Sequence, residues 1–262
     1  MDKKTKIKVE DYMRIHSIDV TQNNIEYYSK IGEYFEKSHG TVVEKLENFS
    51  KYVPRQMLTR FLAKYELFKR ILSIHGSIIE CGVFHGGGMM SFAQFSAIFE
   101  PVNHQRRIIG FDTFEGFKSI SKVDYQTSTD LSQTYEGGLR ANSYEDLKEC
   151  SELYDLNRFL GHINKIELVK GDACITIPKY VKDNPHLVIS LLYLDIDLFE
   201  PTKVALQNFL PRIPKGGIIA FDELNASNFP GETMAVLEEI GISNLKIERL
   251  PFDSCMSFAV VD

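Results

Sequence analysis

The sequence of 262 residues predicts an α/β fold in which helices cover both faces of a mostly parallel, seven-stranded sheet. Three observations predict it. From Ser77 onward, short apolar runs alternate with helical stretches, the pattern of strand-to-helix crossovers. Each of the first five runs leads into a carboxylate. The last two runs are separated only by Pro251, Phe252, Asp253 and Ser254, which predicts an antiparallel hairpin closing the sheet.

Taken in order, residues 1–72 read as a helical extension. Leu58, Phe61, Leu62, Tyr65, Phe68, Ile71 and Leu72 recur three or four apart after Pro54, and a weaker stripe of Ile25, Tyr28, Ile31 and Phe35 precedes them. Such helices cover a sheet or build a subunit interface, and the sequence does not choose between the two. The domain proper, 73–262, carries strand runs at Ile78–Val83, Arg107–Phe111, Ile166–Lys170, Leu187–Leu194 and Gly217–Phe221, then Leu245–Leu250 and Cys255–Val261. A helix is expected at Met89–Phe99. The polar stretch from Phe117 to Gly161, with a helix opening near Ser143, is long enough to act as a lid.

Composition excludes several classes. The formal charge is −6 and no basic block is longer than KKTKIK at the start, so nucleic acid is disfavoured as a partner. No signal-like segment is evident, and the run Leu187–Leu194 is too short to span a bilayer, so the expectation is a cytoplasmic protein without a membrane span. Cys81, Cys150, Cys174 and Cys255 lie far apart without a CxxC pair, which predicts reduced thiols and no zinc site.

The chemistry collects where the strands end. Glu80, Asp112, Asp172, Asp195 with Asp197, and Asp222 with Glu223 lie in or just after the five parallel runs, and ligands of open α/β sheets bind at the carboxyl ends of strands. A single such acid is as often a helix cap or turn residue. The first run enters Glu80-Cys-Gly-Val-Phe-His-Gly-Gly-Gly88, a glycine-rich turn opening a helix, in which Gly82 and Gly86 let backbone approach a ligand. Phe84 stands where a dinucleotide loop has its second glycine, which disfavours a nicotinamide cofactor, and no Walker loop is present. Asp112 is spaced to accept ribose hydroxyls, and Asp172, followed by Ala173, to take an adenine amino group. Asp195, Asp222 and Glu223 form an all-oxygen set suited to magnesium rather than zinc, and as strand-end acids they also admit a purely structural role. His85 is expected to contact cofactor or solvent.

Five crossover strands followed by a hairpin are the outline of a Rossmann-like class I methyltransferase. The ordered motifs ECGVFHGGG, GFDTFEGF, VKGDA, LLYLDIDLFEPT and GGIIAFDELN resemble the TylF/MycF/NovP family of sugar O-methyltransferases, also named for macrocin O-methyltransferase, from about Tyr52 to the C-terminus. The resemblance implies magnesium-dependent transfer from S-adenosylmethionine to a sugar hydroxyl, a lid and homo-oligomers. It implies Glu80 and Gly82 in the cofactor loop, Asp112 on ribose, Asp172 on adenine, Asp195, Asp222 and Glu223 on the metal, and Asp197 as general base. Two positions depart from the family. Glu223 stands where a second consecutive Asp is usual, and Ile196 stands where characterised members often carry glycine. Transfer to a non-sugar acceptor, and a catalytically silent adenosine-ligand binder, are the alternatives the sequence leaves open.

Overall fold

The computed structural model describes residues 9, 10, 13, 18, 20–125 and 134–262, so the opening of the helical extension and the middle of the expected lid, 126–133, lie outside the described residues. The chain divides into two compact units, Met1–Arg60 and Phe61–Asp262.

In the first unit, helix α1 (Gln22–Lys37) starts at Thr21, whose hydroxyl accepts from the Asn24 amide. Helix α2 (Val42–Glu47) starts with a reciprocal capping box between Thr41 and Glu44, which satisfies amides that a helix start leaves without partners. The ring of Tyr52 packs edge-on against Phe35 and beside Tyr34.

Helix α3 (Arg55–Arg70) crosses the boundary between the units. Its second half buries Ala63, Leu67 and Phe68 in the core of the second unit. Burying Leu67 and Phe68 stabilises by about 1.5–3 kcal/mol each, which ties this half of the helix to the sheet.

The strands are β1 (Ser77–Cys81), β2 (Ile108–Asp112), β3 (Ile166–Lys170), β4 (Ile189–Leu194), β5 (Ile218–Phe221), β6 (Ile247–Arg249) and β7 (Ser257–Val260). They form one seven-stranded sheet in the order β3-β2-β1-β4-β5-β7-β6. The first five run parallel, and β7 pairs antiparallel with both β5 and β6, as the sequence predicted. Helices α4 (Gly87–Phe99) and α6 (Tyr144–Leu156) join α3 over the face that carries Ile78, Ile108, Leu191, Tyr193 and Ala220. Helices α7 (Ala173–Asp183), α8 (Phe199–Phe209) and α9 (Gly231–Glu239) cover the face that carries Ile79, Ile109, Leu192, Leu194 and Phe221. A short helix α5 (Lys122–Tyr125) lies in the expected lid. All four cysteines are free, and among the described residues no helix is long and apolar enough to cross a membrane.

Strand order reverses beside β1, which pairs with β2 on one side and β4 on the other. Crossovers leave this point in opposite directions and open a crevice at the carboxyl ends of the strands. Cys81, Leu194 and Phe221 occupy one row of the ladder. Gly82, Asp195 and Asp222 therefore leave the sheet side by side, each held by one more ladder bond: Gly82 N–H to Phe111 carbonyl, Asp195 N–H to Cys81 carbonyl, and Asp222 N–H to Leu194 carbonyl.

Gly82 has φ +90°, and a β-carbon there would overlap the backbone carbonyl of Asp195. Gly87, five residues on, has open space around it and no positive φ. Gly82→Ala is expected to destabilise the protein by about 3 kcal/mol or more, and Gly87→Ala to be neutral or to stabilise by about 0.5 kcal/mol, read as chemical denaturation midpoints. Equal midpoints for the two variants would show that the close approach at Gly82 is dispensable.

Candidate active site

The glycine-rich loop is braced by Asp112. One oxygen, Oδ2, accepts from the amides of Val83 at 2.8 Å and Phe84 at 2.7 Å, and Oδ1 accepts from the amide of Phe114 at 2.6 Å. Phe84 and Phe114 both adopt left-handed backbone, φ +52° and +56°, which bulky residues hold only when their surroundings over-determine it. Three charge-assisted bonds to one carboxylate supply that constraint. A carboxylate offers about four acceptor positions, so little of Asp112 is left over for ribose hydroxyls. The Phe84 carbonyl in turn accepts from the hydroxyl of Ser143, the residue that opens α6.

The glycines of the loop do different work. Gly86 is the left-handed N-cap of α4, and a β-carbon there would overlap the Leu147 side chain, so its first role is packing. Gly88 makes room for the carboxylate of Glu80 and the stem of Lys64. At the end of β3, Asp172 is the N-cap of α7, with Oδ1 accepting from the Cys174 amide at 2.9 Å, and Ala173 is the first residue of that helix.

On the other side of the crevice the acids gather. Glu80, Asp197, Asp222 and Glu223 are buried, Asp195 is half-buried, and Asp197 holds φ +67° just past the strand. Asp222 Oδ1 accepts from the buried Tyr193 hydroxyl at 2.6 Å, and Tyr193 Oη accepts from Lys64 Nζ at 3.1 Å. Glu232, at the start of α9, is fully buried, with one oxygen accepting from the Glu223 amide at 3.0 Å. Burial pushes the Glu80 carboxyl up to about 8, opposed by the charge of Lys64 and reinforced by Asp195, Asp222 and Asp112. Burial also raises Glu232 well above the usual carboxylate range, and Asp222, Glu223 and Asp195 add to the effect. The ladder rows and the Glu232–Glu223 bond place these acids of β1, β4, β5 and α9 at one edge of the sheet.

Asp195, Asp222 and Glu223 supply only hard oxygen donors, a chemistry that suits magnesium. Among the described residues, however, no three acidic, histidine or cysteine side chains stand together closely enough to hold a metal ion. The donor types fit the ion, whereas the side chains as they stand do not close around it.

The expected lid is rooted in the domain. The backbones of Phe117 and Gly137–Gly138 bond to each other, and α6, from its second half, buries Leu147 and Tyr154 in the core. Asp124, in α5, accepts from the Phe199 amide at the start of α8 with Oδ1 and from Ser121 with Oδ2. The segment before the undescribed stretch is thereby pinned to the helix that follows Asp195 and Asp197.

Lys64, Tyr193, Asp124 and Glu232 are absent from the site read from sequence. Two of them carried a visible signal: Lys64 sits three and four residues before the buried Leu67 and Phe68, and Glu232 three and four before the buried Ala235 and Val236, so both lie on the apolar stripe of a helix.

The loop, the crevice and the acids fit a methyltransferase, and comparison with known proteins narrows the family. The model of the macrocin O-methyltransferase family, TylF, matches residues 58–238. The chain belongs to this family. Its members are S-adenosylmethionine-dependent O-methyltransferases, and the fold seen here is their cofactor-binding fold. The crystal structure of CalS11, a calicheamicin methyltransferase, is similar to the chain with TM-score 0.88 and 30% identity over 99% of both chains. The apo structure of CalS11, a TDP-rhamnose 3'-O-methyltransferase of calicheamicin biosynthesis, is similar with TM-score 0.79 and 31% identity over 93% of this chain and 96% of that one. The 8-demethyl-8-(2,3-dimethoxy-alpha-L-rhamnosyl)-tetracenomycin-C 4'-O-methyltransferase of Streptomyces olivaceus is 25% identical over 154 residues, 57% of this chain and 53% of that protein. The match thus spans about half the length of that curated relative.

The raised Glu80 gives the family member a pH signature. An acid whose folded pKa exceeds its unfolded value binds its proton more tightly in the native state, so stability is greatest below the unfolded pKa and falls as pH rises toward the folded one. Melting temperature is expected to decline between about pH 5 and pH 8, and Glu80→Gln to flatten that decline. An identical slope in wild type and variant would remove Glu80 as its source.

Proposed function

We propose that the chain transfers the methyl group of S-adenosylmethionine to a hydroxyl of a deoxysugar, with Asp197 as general base and a magnesium ion held by Asp195, Asp222 and Glu223. The observation that carries this reading is the end-to-end likeness to CalS11, the calicheamicin methyltransferase that is a TDP-rhamnose 3'-O-methyltransferase. That likeness supports a deoxysugar, linked to a nucleotide or to a glycoside, as the acceptor class.

In this reading the two sides of the crevice divide the work. Glu80, Gly82, Gly86, Asp112, Asp172 and Ala173 form the cofactor side. Asp112 keeps the loop from Gly82 to Gly86 in the shape that receives the cofactor, because it holds the Val83 and Phe84 amides. Asp172 and Ala173 offer a helix start to the adenine end. An oxygen of Glu80, buried and without a hydrogen-bond partner among the described residues, supports a polar ligand group at this end of β1.

S-adenosylmethionine supplies a methyl group on a sulfonium, which departs as the neutral thioether when an oxygen displaces it in line. The hydroxyl oxygen forms the new bond to the methyl carbon, the carbon–sulfur bond breaks with its electron pair going to sulfur, and the hydroxyl proton passes to Asp197. A sugar hydroxyl is too weak an acid to react unaided, so the transfer needs a base at the oxygen. Asp197 is buried, which shields it from competing water, and its left-handed backbone turns it away from the line of β4. Magnesium at the neighbouring carboxylates would acidify the hydroxyl and fix its direction. Holding oxygen, carbon and sulfur in line supplies much of the rate. The segment rooted by Asp124 serves as the lid.

The same reading makes the chain a homo-oligomer. Tyr34, Val42, Val43, Leu46 and Phe49 are exposed apolar side chains of the first unit, which a second copy would cover. Light scattering of the purified chain reads this directly, and a monomer at micromolar concentration would remove it.

Calorimetric titration of S-adenosylhomocysteine tests the cofactor side: wild type is expected to bind, and Asp112→Asn to bind at least about tenfold more weakly as the loop loses its charged brace. Folded wild type that does not bind would sink the whole reading. With TDP-rhamnose and magnesium, Asp197→Asn is expected to lower kcat by about a hundredfold or more while binding the cofactor product normally. Full activity in that variant would dismiss Asp197 as the base. Binding of the cofactor product without transfer to any deoxysugar nucleotide or glycoside would favour a non-sugar acceptor.

A further inference from the structure

A buried lysine stands behind the acids of the crevice. Lys64 reaches in from α3, is 6% exposed, and donates to the Tyr193 hydroxyl at 3.1 Å with its ammonium 4.4 Å from the ring centroid. Tyr193 is fully buried, and its hydroxyl bonds to Asp222 Oδ1 at 2.6 Å. The polarity of this chain is forced. An ammonium has donors and no acceptor, so the phenol oxygen must accept from Lys64, and the one phenol hydrogen is left to point at Asp222. A phenol without the lysine could rotate that hydrogen elsewhere.

The sheet explains why these groups meet. Glu80 is the ladder partner of Tyr193, and Asp222 lies two residues beyond Ala220, the partner of Tyr193 on the other side. All three side chains therefore emerge on the α3 face near the carboxyl edge. Gly88 lacks a β-carbon where both the Glu80 carboxylate and the Lys64 stem would meet it. A single lysine thus faces an acid of the cofactor side and, through Tyr193, an acid of the acceptor side.

We propose that Lys64 and Tyr193 are positioning residues for methyl transfer: Lys64 sets the direction of the Tyr193 hydroxyl hydrogen, and that hydrogen bond fixes the plane of the Asp222 carboxylate. The inference rests on the proposed function, in which Asp222 serves the acceptor side. Neither residue touches the reacting atoms. A carboxylate that lost this bond would present its oxygens in the working direction for a smaller part of the time, and the loss would fall on turnover rather than on binding of the cofactor.

The test uses the full chain with Tyr193→Phe, which keeps the ring, and Lys64→Met, which keeps most of the stem. The first readout needs neither acceptor nor metal. A buried phenol hydrogen bonded to a carboxylate gives a slowly exchanging, low-field proton resonance, which is expected in wild type, absent in Tyr193→Phe, and shifted in both Lys64→Met and Asp222→Asn. An unchanged resonance in Lys64→Met would overturn the role of the lysine. The second readout is steady-state transfer to TDP-rhamnose. Tyr193→Phe is expected to lose at least tenfold in kcat with the KM for the sugar and the affinity for S-adenosylhomocysteine within threefold of wild type. A kcat within twofold would overturn the positioning role by itself. If Lys64→Met fails to fold, the Tyr193→Phe kinetics decide. Wild type that methylates no deoxysugar would overturn the proposed function, and the positioning role would fall with it, an outcome seen in wild type and so distinct from a failure of the variants.

Discussion

The rest of the site depends on one close approach, the backbone of Gly82 against the carbonyl of Asp195. The two residues leave neighbouring strands at the point where strand order reverses, and the space between them admits no side chain. That approach sets the loop of β1 and the acid segment of β4 on opposite walls of one crevice. The glycine is required twice, for its positive φ and for its missing β-carbon. Asp112 draws the loop amides to one wall, and on the other the backbones of Asp195 and Asp222 leave β4 and β5 side by side.

The second constraint is electrostatic. A carboxylate taken out of water loses hydration that only opposite charge or hydrogen bonds can replace. Asp112 and Asp172 have backbone amides, and Asp222 has a phenol. Glu80 and Glu232 each keep an oxygen with no hydrogen-bond partner among the described residues, and burial raises both. A fold under selection for stability alone would not retain such groups, and their concentration at one edge of the sheet marks that edge as the working one. Lys64 stands out in this setting as a lysine brought through the helix layer to the acids, at the one place where Gly88 leaves room for it.

How much of this was legible depends on the distance over which the signal acts. Strand runs announce themselves within six or eight residues, so the five parallel strands and the closing hairpin were readable, and with them the acids at their ends. The motifs around Glu80, Asp112, Asp195 and Asp222 are contiguous, which is why the family could be named before the fold was seen. The occupation of Asp112 by three loop amides was not readable, because it depends on the left-handed turns at Phe84 and Phe114. Asp124 gave no sign of capping a helix that begins 75 residues later in the chain. Glu232 looked like an ordinary acid in the first turn of a helix, although its spacing to Ala235 and Val236 put it on the buried stripe.

By itself, then, the sequence determined the class of fold, the family, and the gathering of acids at one edge of the sheet, because hydrophobic period, turn residues and strand-end acids are all local properties of the chain. Tertiary structure alone decided which of the acids brace the backbone, that the far half of α3 packs into the core, and that Lys64 and Tyr193 stand behind Asp222. Those outcomes follow from register and close packing between segments that are distant in the chain, and no local pattern encodes which oxygen will find which donor once the segments meet.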